Sequence, residues 1–232
     1  MSDGLREPPL AAVFLDGRYE DEDFYAEWAE RADILVAADG AAAFLIGLGR
    51  SPDVVVGDLD SLSDGVLAAL AELGVPVRRF PERKDQTDGE LAVDEALARG
   101  AGEIVLAGGL GSLDHTLGHL AILRRLASRG VSARLIAPEL TVRVFVAPAE
   151  FSLQAPPRTR VSLVALECDA VVTLQGMEYV LQREVLACDT CRGLGNSVAG
   201  EAPWARVHRG TVAVLVDASS VTFGGKRDAP RP

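Results

Sequence analysis

Up to residue 137 the chain alternates short apolar runs with longer stretches whose apolar residues recur at helical spacing. The runs fall at 10–15, 34–38, 54–56, 75–80, 104–107 and 133–137. Helix-period segments at 22–32, 41–48, 62–73, 90–99 and 115–128 lie between them. A strand that leads through a helix to the next strand makes a crossover, so this rhythm predicts a parallel sheet with helices on both faces. Gly49 and Pro52 mark the stop of the second helix. After Pro138 the period changes: strand-like runs at 142–146, 161–166, 170–174, 180–186 and 212–216 are separated by turn residues, with no helical repeat. That pattern predicts a β-sandwich. The expected fold is α/β: an N-terminal Rossmann-like parallel-sheet domain over 1–140, a C-terminal β-sandwich over 141–223, and a disordered tail over 224–232.

The net charge of −11 argues against nucleic acid, whose phosphates demand a basic surface. It leaves nucleotides open, because bound cations reverse the local sign. No apolar run approaches the ~20 residues of a membrane helix, and the polar start lacks the core of a secretory signal. A cytoplasmic protein with no membrane partner is the expectation. The three cysteines are Cys168, Cys188 and Cys191. Cys188-x-x-Cys191 has no second pair, so it reads as incidental rather than as a zinc or redox site.

The chemistry is concentrated in acidic segments. Val54 to Val56 is a buried-strand run, Gly57 lets the chain turn, and Asp58-Leu-Asp60-Ser61 follows. Ligands of an open parallel sheet bind beyond the carboxyl ends of its strands. Further on, Lys84-Asp85-Gln86-Thr87-Asp88-Gly-Glu90 precedes a helix. Thr87 and Glu90 form a capping-box pattern, which puts Asp85 in the entering loop and Asp88 in the first turn. As caps alone these aspartates need no function. Converging with Asp58 and Asp60, they would repel one another unless a cation intervened, and oxygen-only ligands favour Mg²⁺. Asp39-Gly40 ends the second strand, as a turn or as a ribose or phosphate contact. The loop Gly108-Gly-Leu-Gly111-Ser112-Leu-Asp114-His115 leads into a long helix and offers backbone N–H groups to an anion. It matches neither the dinucleotide fingerprint nor the P-loop.

These segments, in this order, resemble the thiamine pyrophosphokinase family. The resemblance is carried by Ala38-Asp-Gly-Ala41, Pro52-Asp-Val-Val-Val-Gly-Asp-Leu-Asp-Ser61, Lys84-Asp-Gln-Thr-Asp-Gly-Glu90 and Leu110-Gly-Ser-Leu-Asp-His-Thr-Leu117, with Gly193-Leu-Gly-Asn-Ser197 later in the chain. It departs from the family pattern at several points. Ser112 replaces an arginine, Gly195 a serine, Ser197 a glutamate, Ala41 a glycine, Leu59 a phenylalanine and His119 an asparagine.

The resemblance implies transfer of pyrophosphate from ATP to thiamine, giving thiamine diphosphate and AMP, by a homodimer whose thiamine cleft draws on both domains. Asp58, Asp60, Asp85 and Asp88 are then the catalytic and Mg²⁺-holding residues. Asp39, Gly40, Ser61, Lys84, Gln86, Thr87, Gly111, Ser112, Asp114 and His115 orient ATP. Asn196 and Ser197 meet thiamine, and Trp204 either stacks on a ring or packs in the core. Two other readings remain. One is a metal-dependent phosphoesterase, although only three histidines, His115, His119 and His208, are present. The other is a non-catalytic thiamine- or nucleotide-binding module on the same scaffold.

Overall fold

The computed structural model describes residues 8–81, 83–217 and 221–224. Of the disordered tail expected over 224–232, Gly224 instead ends a strand that pairs with residues 152–154, and residues 225–232 lie outside the described residues. The chain divides into two compact units, one running to His119 and including Val131–Ala133, the other comprising Leu120–Gly130 and the chain from Arg134 onward.

In the first unit, β1 (Leu10–Phe14), β2 (Ile34–Ala38), β3 (Val54–Gly57), β4 (Val77–Arg79) and β5 (Glu103–Ala107) pair in parallel in the order β5-β1-β2-β3-β4. Consecutive residues are buried throughout β3 and after the first residue of β1 and of β5, as expected for strands covered on both faces. Edge strand β4 carries Arg78 and Arg79 and is exposed, which discourages pairing with other chains. Strands β1 to β4 step one way across the sheet, and the chain then returns to set β5 on the other side of β1. This reversal is the topological switch point at which such sheets bind ligands.

Helix starts follow side-chain caps. The Asp21 carboxylate accepts the Phe24 amide at 3.0 Å and starts α1 (Glu22–Arg31), whose buried face is Tyr25, Trp28 and Ala29. After α2 (Ala41–Gly47), Ser63 caps α3 (Asp64–Glu72), so that helix begins two residues later than periodicity suggested. Thr87 caps α4 (Asp88–Ala98) in a complete capping box: its hydroxyl accepts the Glu90 amide, and the Glu90 carboxylate accepts the Thr87 amide at 3.0 Å. Helix α5 (Leu113–Ser128) begins ahead of His115.

The second unit is a sandwich of two antiparallel sheets. One contains β7 (Leu140–Val146), β9 (Arg160–Ala165), β12 (Asn196–Ser197) and β14 (Thr211–Val216), with residues 135–137 of β6 (Ser132–Ala137) paired to β7. The other runs β11 (Leu181–Leu186), β10 (Ala170–Gln175), β13 (Trp204–Arg209), β8 (Ala149–Gln154) and β15 (Thr222–Gly224). Alternate residues of both sheets meet in a core that includes Phe151, Leu153, Leu163, Val172, Leu174, Val207 and Val214. Periodicity missed β8 and β13. β8 follows Pro148, and β13 has Arg206 and Arg209 on its outward face, which masks the alternation.

Candidate functional site

The carboxyl ends of β2 and β3 bring three aspartates together. Asp39, Asp58 and Asp60 each offer an oxygen, and these atoms lie within 4.8 Å of one another, the one such group among the described residues. Asp39 is buried, with its backbone at φ 43°, and it organises the others. Its Oδ1 accepts the Leu59 amide at 3.0 Å and its Oδ2 accepts the Ser61 hydroxyl at 2.7 Å. Its own amide donates to the Val56 carbonyl at 2.8 Å. Asp58 Oδ1 in turn accepts the Asp60 amide at 3.2 Å, closing a local turn that sets both carboxylates on one side. Gly57 permits this approach, since a Cβ there would stand 2.9 Å from Asp39 Cβ. Asp39 and Ser61, expected as nucleotide contacts, thus shape the acidic loop. Gly40 lies against Asp16, whose Oδ1 would be 2.5 Å from a Cβ at position 40.

The segment entering α4 meets this group through a cation. Lys84 Nζ lies 2.9 Å from Asp88 Oδ1 and 3.8 Å from Asp58 Oδ2. Partial burial lowers the Lys84 pKa, but the carboxylates of Asp88, Asp58 and Asp39 outweigh it and hold the ammonium above its ordinary value. Asp58 and Asp88, separated in sequence, therefore share one ammonium. Asp85 is exposed and stands outside the three-aspartate group. Gln86 donates to Asp94 at 3.1 Å, and Thr87 is committed to its cap.

Sequence reasoning passed over Asp16, at the end of β1. Burial, then the charges of Asp39 and Asp88, push its carboxyl above the usual range, while His115 opposes them. Asp16-Gly17 thus stands at the switch point beside the loop that follows β5. A Cβ on Gly17 would sit 1.8 Å from the Gly108 carbonyl oxygen, and one on Gly108 2.6 Å from the Tyr19 ring. Tyr19 stacks on Phe44 at 3.9 Å and donates its hydroxyl to the Leu15 carbonyl, which fixes the segment after β1. Burial raises the Tyr19 pKa and keeps that hydroxyl protonated. The available signal was an Asp-Gly at a strand end, the same signal as at Asp39-Gly40.

In the loop after β5, Gly111 donates to the Thr116 hydroxyl at 3.5 Å. The Ser112 hydroxyl and the His115 amide hold the Asp114 carboxyl below its ordinary value. His119 is buried, with Nδ1 2.7 Å from the Gly109 carbonyl oxygen. That oxygen only accepts, so Nδ1 carries the proton. Burial lowers the His119 pKa and the Gly109 bond opposes this, leaving a net shift downward. His115 lies one turn earlier, ring centroids 6.2 Å apart.

In the second unit, the Asn196 side chain is tied through both its oxygen and its nitrogen. It accepts the Tyr179 amide at 3.0 Å and the Ser197 amide at 2.9 Å, and donates to the Tyr179 carbonyl at 2.7 Å. It pins a loop. The Ser197 hydroxyl donates to Glu178 at 2.8 Å. Gly195 adopts φ 75°, a conformation that suits glycine better than serine. Trp204 is 37% exposed on the outer face of its sheet and so lies outside the core. Cys168, Cys188 and Cys191 are free and exposed.

A sequence model described as thiamin pyrophosphokinase, catalytic domain, matches residues 25–135. Thiamine pyrophosphokinase of Bacillus subtilis is 26% identical over 157 residues, 66% of this chain and 73% of that protein. Among solved structures, a thiamine pyrophosphokinase from Bacillus subtilis aligns with a TM-score of 0.79 at 20% identity, over 90% of this chain and 99% of that one. Yeast thiamin pyrophosphokinase aligns with a TM-score of 0.78 at 14% identity, over 91% and 87% of the two chains. At these identities the two structures establish a shared fold.

Proposed function

We infer that the chain, matched over residues 25–135 by the thiamin pyrophosphokinase catalytic-domain model, is a thiamine pyrophosphokinase that transfers pyrophosphate from ATP to the hydroxyethyl oxygen of thiamine, giving thiamine diphosphate and AMP. The observation that carries this reading is the approach of Asp39, Asp58 and Asp60 within 4.8 Å at the carboxyl edge of a parallel sheet. An all-oxygen donor set of this kind fits a hard divalent cation. Asp58 and Asp60 would hold Mg²⁺ while Asp39 fixes their loop, and Asp88, with Asp85 from the exposed entering loop, would add carboxylates from the α4 side. When bound, the ion neutralises charge on the polyphosphate.

The chain's own groups supply the positioning. The N-terminus of α4 and the loop 108–115 present backbone N–H groups to phosphate oxygens. Lys84 adds a cation there, and Asp39, Gly40, Ser61, Gln86, Thr87, Gly111, Ser112, Asp114 and His115 form or support the ATP side. The alcohol oxygen bonds to the β-phosphorus as the bond from that phosphorus to the bridging oxygen of AMP breaks. The alcohol proton passes to a carboxylate of the set or to a water held by it.

We assign nucleotide chemistry to residues 1–140 and thiamine contacts to 141–223, through Asn196, Ser197 and Trp204. Asn196 acts there by holding the Tyr179 loop. A cytoplasmic homodimer belongs to the same reading. For the dimer, Tyr179, Val180 and Leu194 are exposed apolar side chains that pairing would cover.

The test is incubation with Mg²⁺, ATP and thiamine, followed by separation of AMP from ADP. Thiamine diphosphate and AMP in equal amounts are expected. Phosphate release from ATP alone, or binding without product, would replace this reading.

A further inference from the structure

Lys84 is far less exposed than the cations of the chain's solvent-facing ion pairs. The pairs Arg31–Glu27 and Arg50–Glu30 join side chains that are 41–69% exposed, where solvent screening leaves little interaction. The Lys84 side chain is 14% exposed and its partner Asp58 is 19% exposed. The second partner atom, Asp88 Oδ1, is buried and accepts no well-directed hydrogen bond, so the ammonium 2.9 Å away is its charge partner. One cation thus spans two loops, the one that follows β3 and the one that enters α4. These are the two loops whose carboxylates would otherwise repel one another.

We propose that Lys84 is an internal stand-in for the divalent cation, occupying Asp58 and Asp88 in the free protein and leaving Asp58 when the ion enters. This deepens the metal-dependent reading above and rests on it. The two cations cannot share Asp58 comfortably, because an ammonium and a divalent ion on one carboxylate repel each other across a few ångströms. Displacement turns the ammonium toward the space where the polyphosphate charge arrives. Polyphosphate favours the displaced lysine and the lysine's departure favours the ion, so the two ligands bind with positive coupling that runs through this side chain. In the free protein the same lysine keeps the acidic loops together.

Direct binding of Mn²⁺, followed by electron paramagnetic resonance on full-length protein without nucleotide, tests this. Lys84→Gln is expected to bind Mn²⁺ about tenfold more tightly than wild type, the scale on which a neighbouring charge changes a carboxylate's cation affinity. Lys84→Arg keeps the charge and is expected to stay near the wild-type value. Arg83→Gln removes the same charge from the adjacent, exposed position and is expected to change affinity less than about twofold. Equal or weaker Mn²⁺ binding by Lys84→Gln overturns the proposal, as does an equal gain in Arg83→Gln. If neither wild type nor Lys84→Gln binds Mn²⁺, even with α,β-methylene-ATP present, the metal-dependent reading itself fails. If both bind Mn²⁺ alike with that analogue, and alike without it, the reading stands and the stand-in role is lost.

Discussion

Asp39 and Ser61, from the ends of different strands, are joined by a 2.7 Å hydrogen bond in which the serine hydroxyl donates to the carboxylate. The second oxygen of the same carboxylate takes the Leu59 amide. The acidic loop is thereby held at both ends of the segment that carries Asp60. Its shape is set by a neighbouring strand as much as by its own sequence.

Asp39→Ala leaves the buried Leu59 amide unpaired and frees the Ser61 hydroxyl. Bonds to charged groups are worth about 1.5–3 kcal/mol each, so the two lost here predict a loss of about 3–6 kcal/mol in urea unfolding. Asp39→Asn keeps one acceptor and should lose about half as much.

Asp60→Asn removes one donor from the three-aspartate group without disturbing the Asp58–Asp60 turn, which uses the Asp60 backbone. Turnover to AMP should fall by about 100-fold or more. The far-UV circular dichroism and unfolding midpoint should stay near wild type. A rate close to wild type would remove the metal role of this residue.

Asp16 has a folded-state pKa above its unfolded value, from burial and from Asp39 and Asp88. Its charged form therefore opposes folding at neutral pH, and this penalty fades as pH falls through the folded pKa. Asp16→Asn should raise stability at pH 7, by less than about 1 kcal/mol because the side chain is only partly buried and solvent screens it. The gain should disappear near pH 4. Urea unfolding at the two pH values checks both statements.

Thr87→Ala removes the α4 cap and its half of the capping box. A loss of about 1 kcal/mol is expected, together with faster amide exchange in the first turn of the helix.

His119 has a folded-state pKa below its unfolded value of about 6.5, chiefly through burial. The unfolded chain thus binds this proton first as pH drops. The contribution of the neutral ring is complete above about pH 6.5 and is lost progressively below it, until the folded pKa is reached. His119→Asn should flatten the fall in stability between pH 7 and pH 5, as measured by denaturant titration.

Local rules made much of this protein legible. The Thr87–Glu90 box, the buried β-branched run before Gly57 and the strand-helix rhythm all concern residues near one another in sequence. The strand-end position of Asp58 and Asp60 followed from the same reasoning. What escaped depends on strand order. Asp16-Gly17 offers only the local pattern of an Asp-Gly turn, and its place at the switch point comes from β1 lying between β2 and β5. The tie from Asp39 to Leu59 and Ser61 spans two strand ends, and no periodicity reports it. Asn196 was legible as a residue of interest but not as one whose amide is spent on Tyr179. Trp204 escaped for a related reason: its strand partners are Gln175 and Ser152, distant in sequence, and Arg206 and Arg209 break the apolar alternation of its own strand.

The double grip of Asp39 has a consequence for anyone transplanting this chemistry. Copying residues 57–61 onto another parallel sheet would move the carboxylates without the strut that aims them. The portable unit is two adjacent strand tips, and a graft that carries one alone should yield a floppy, undirected acidic turn.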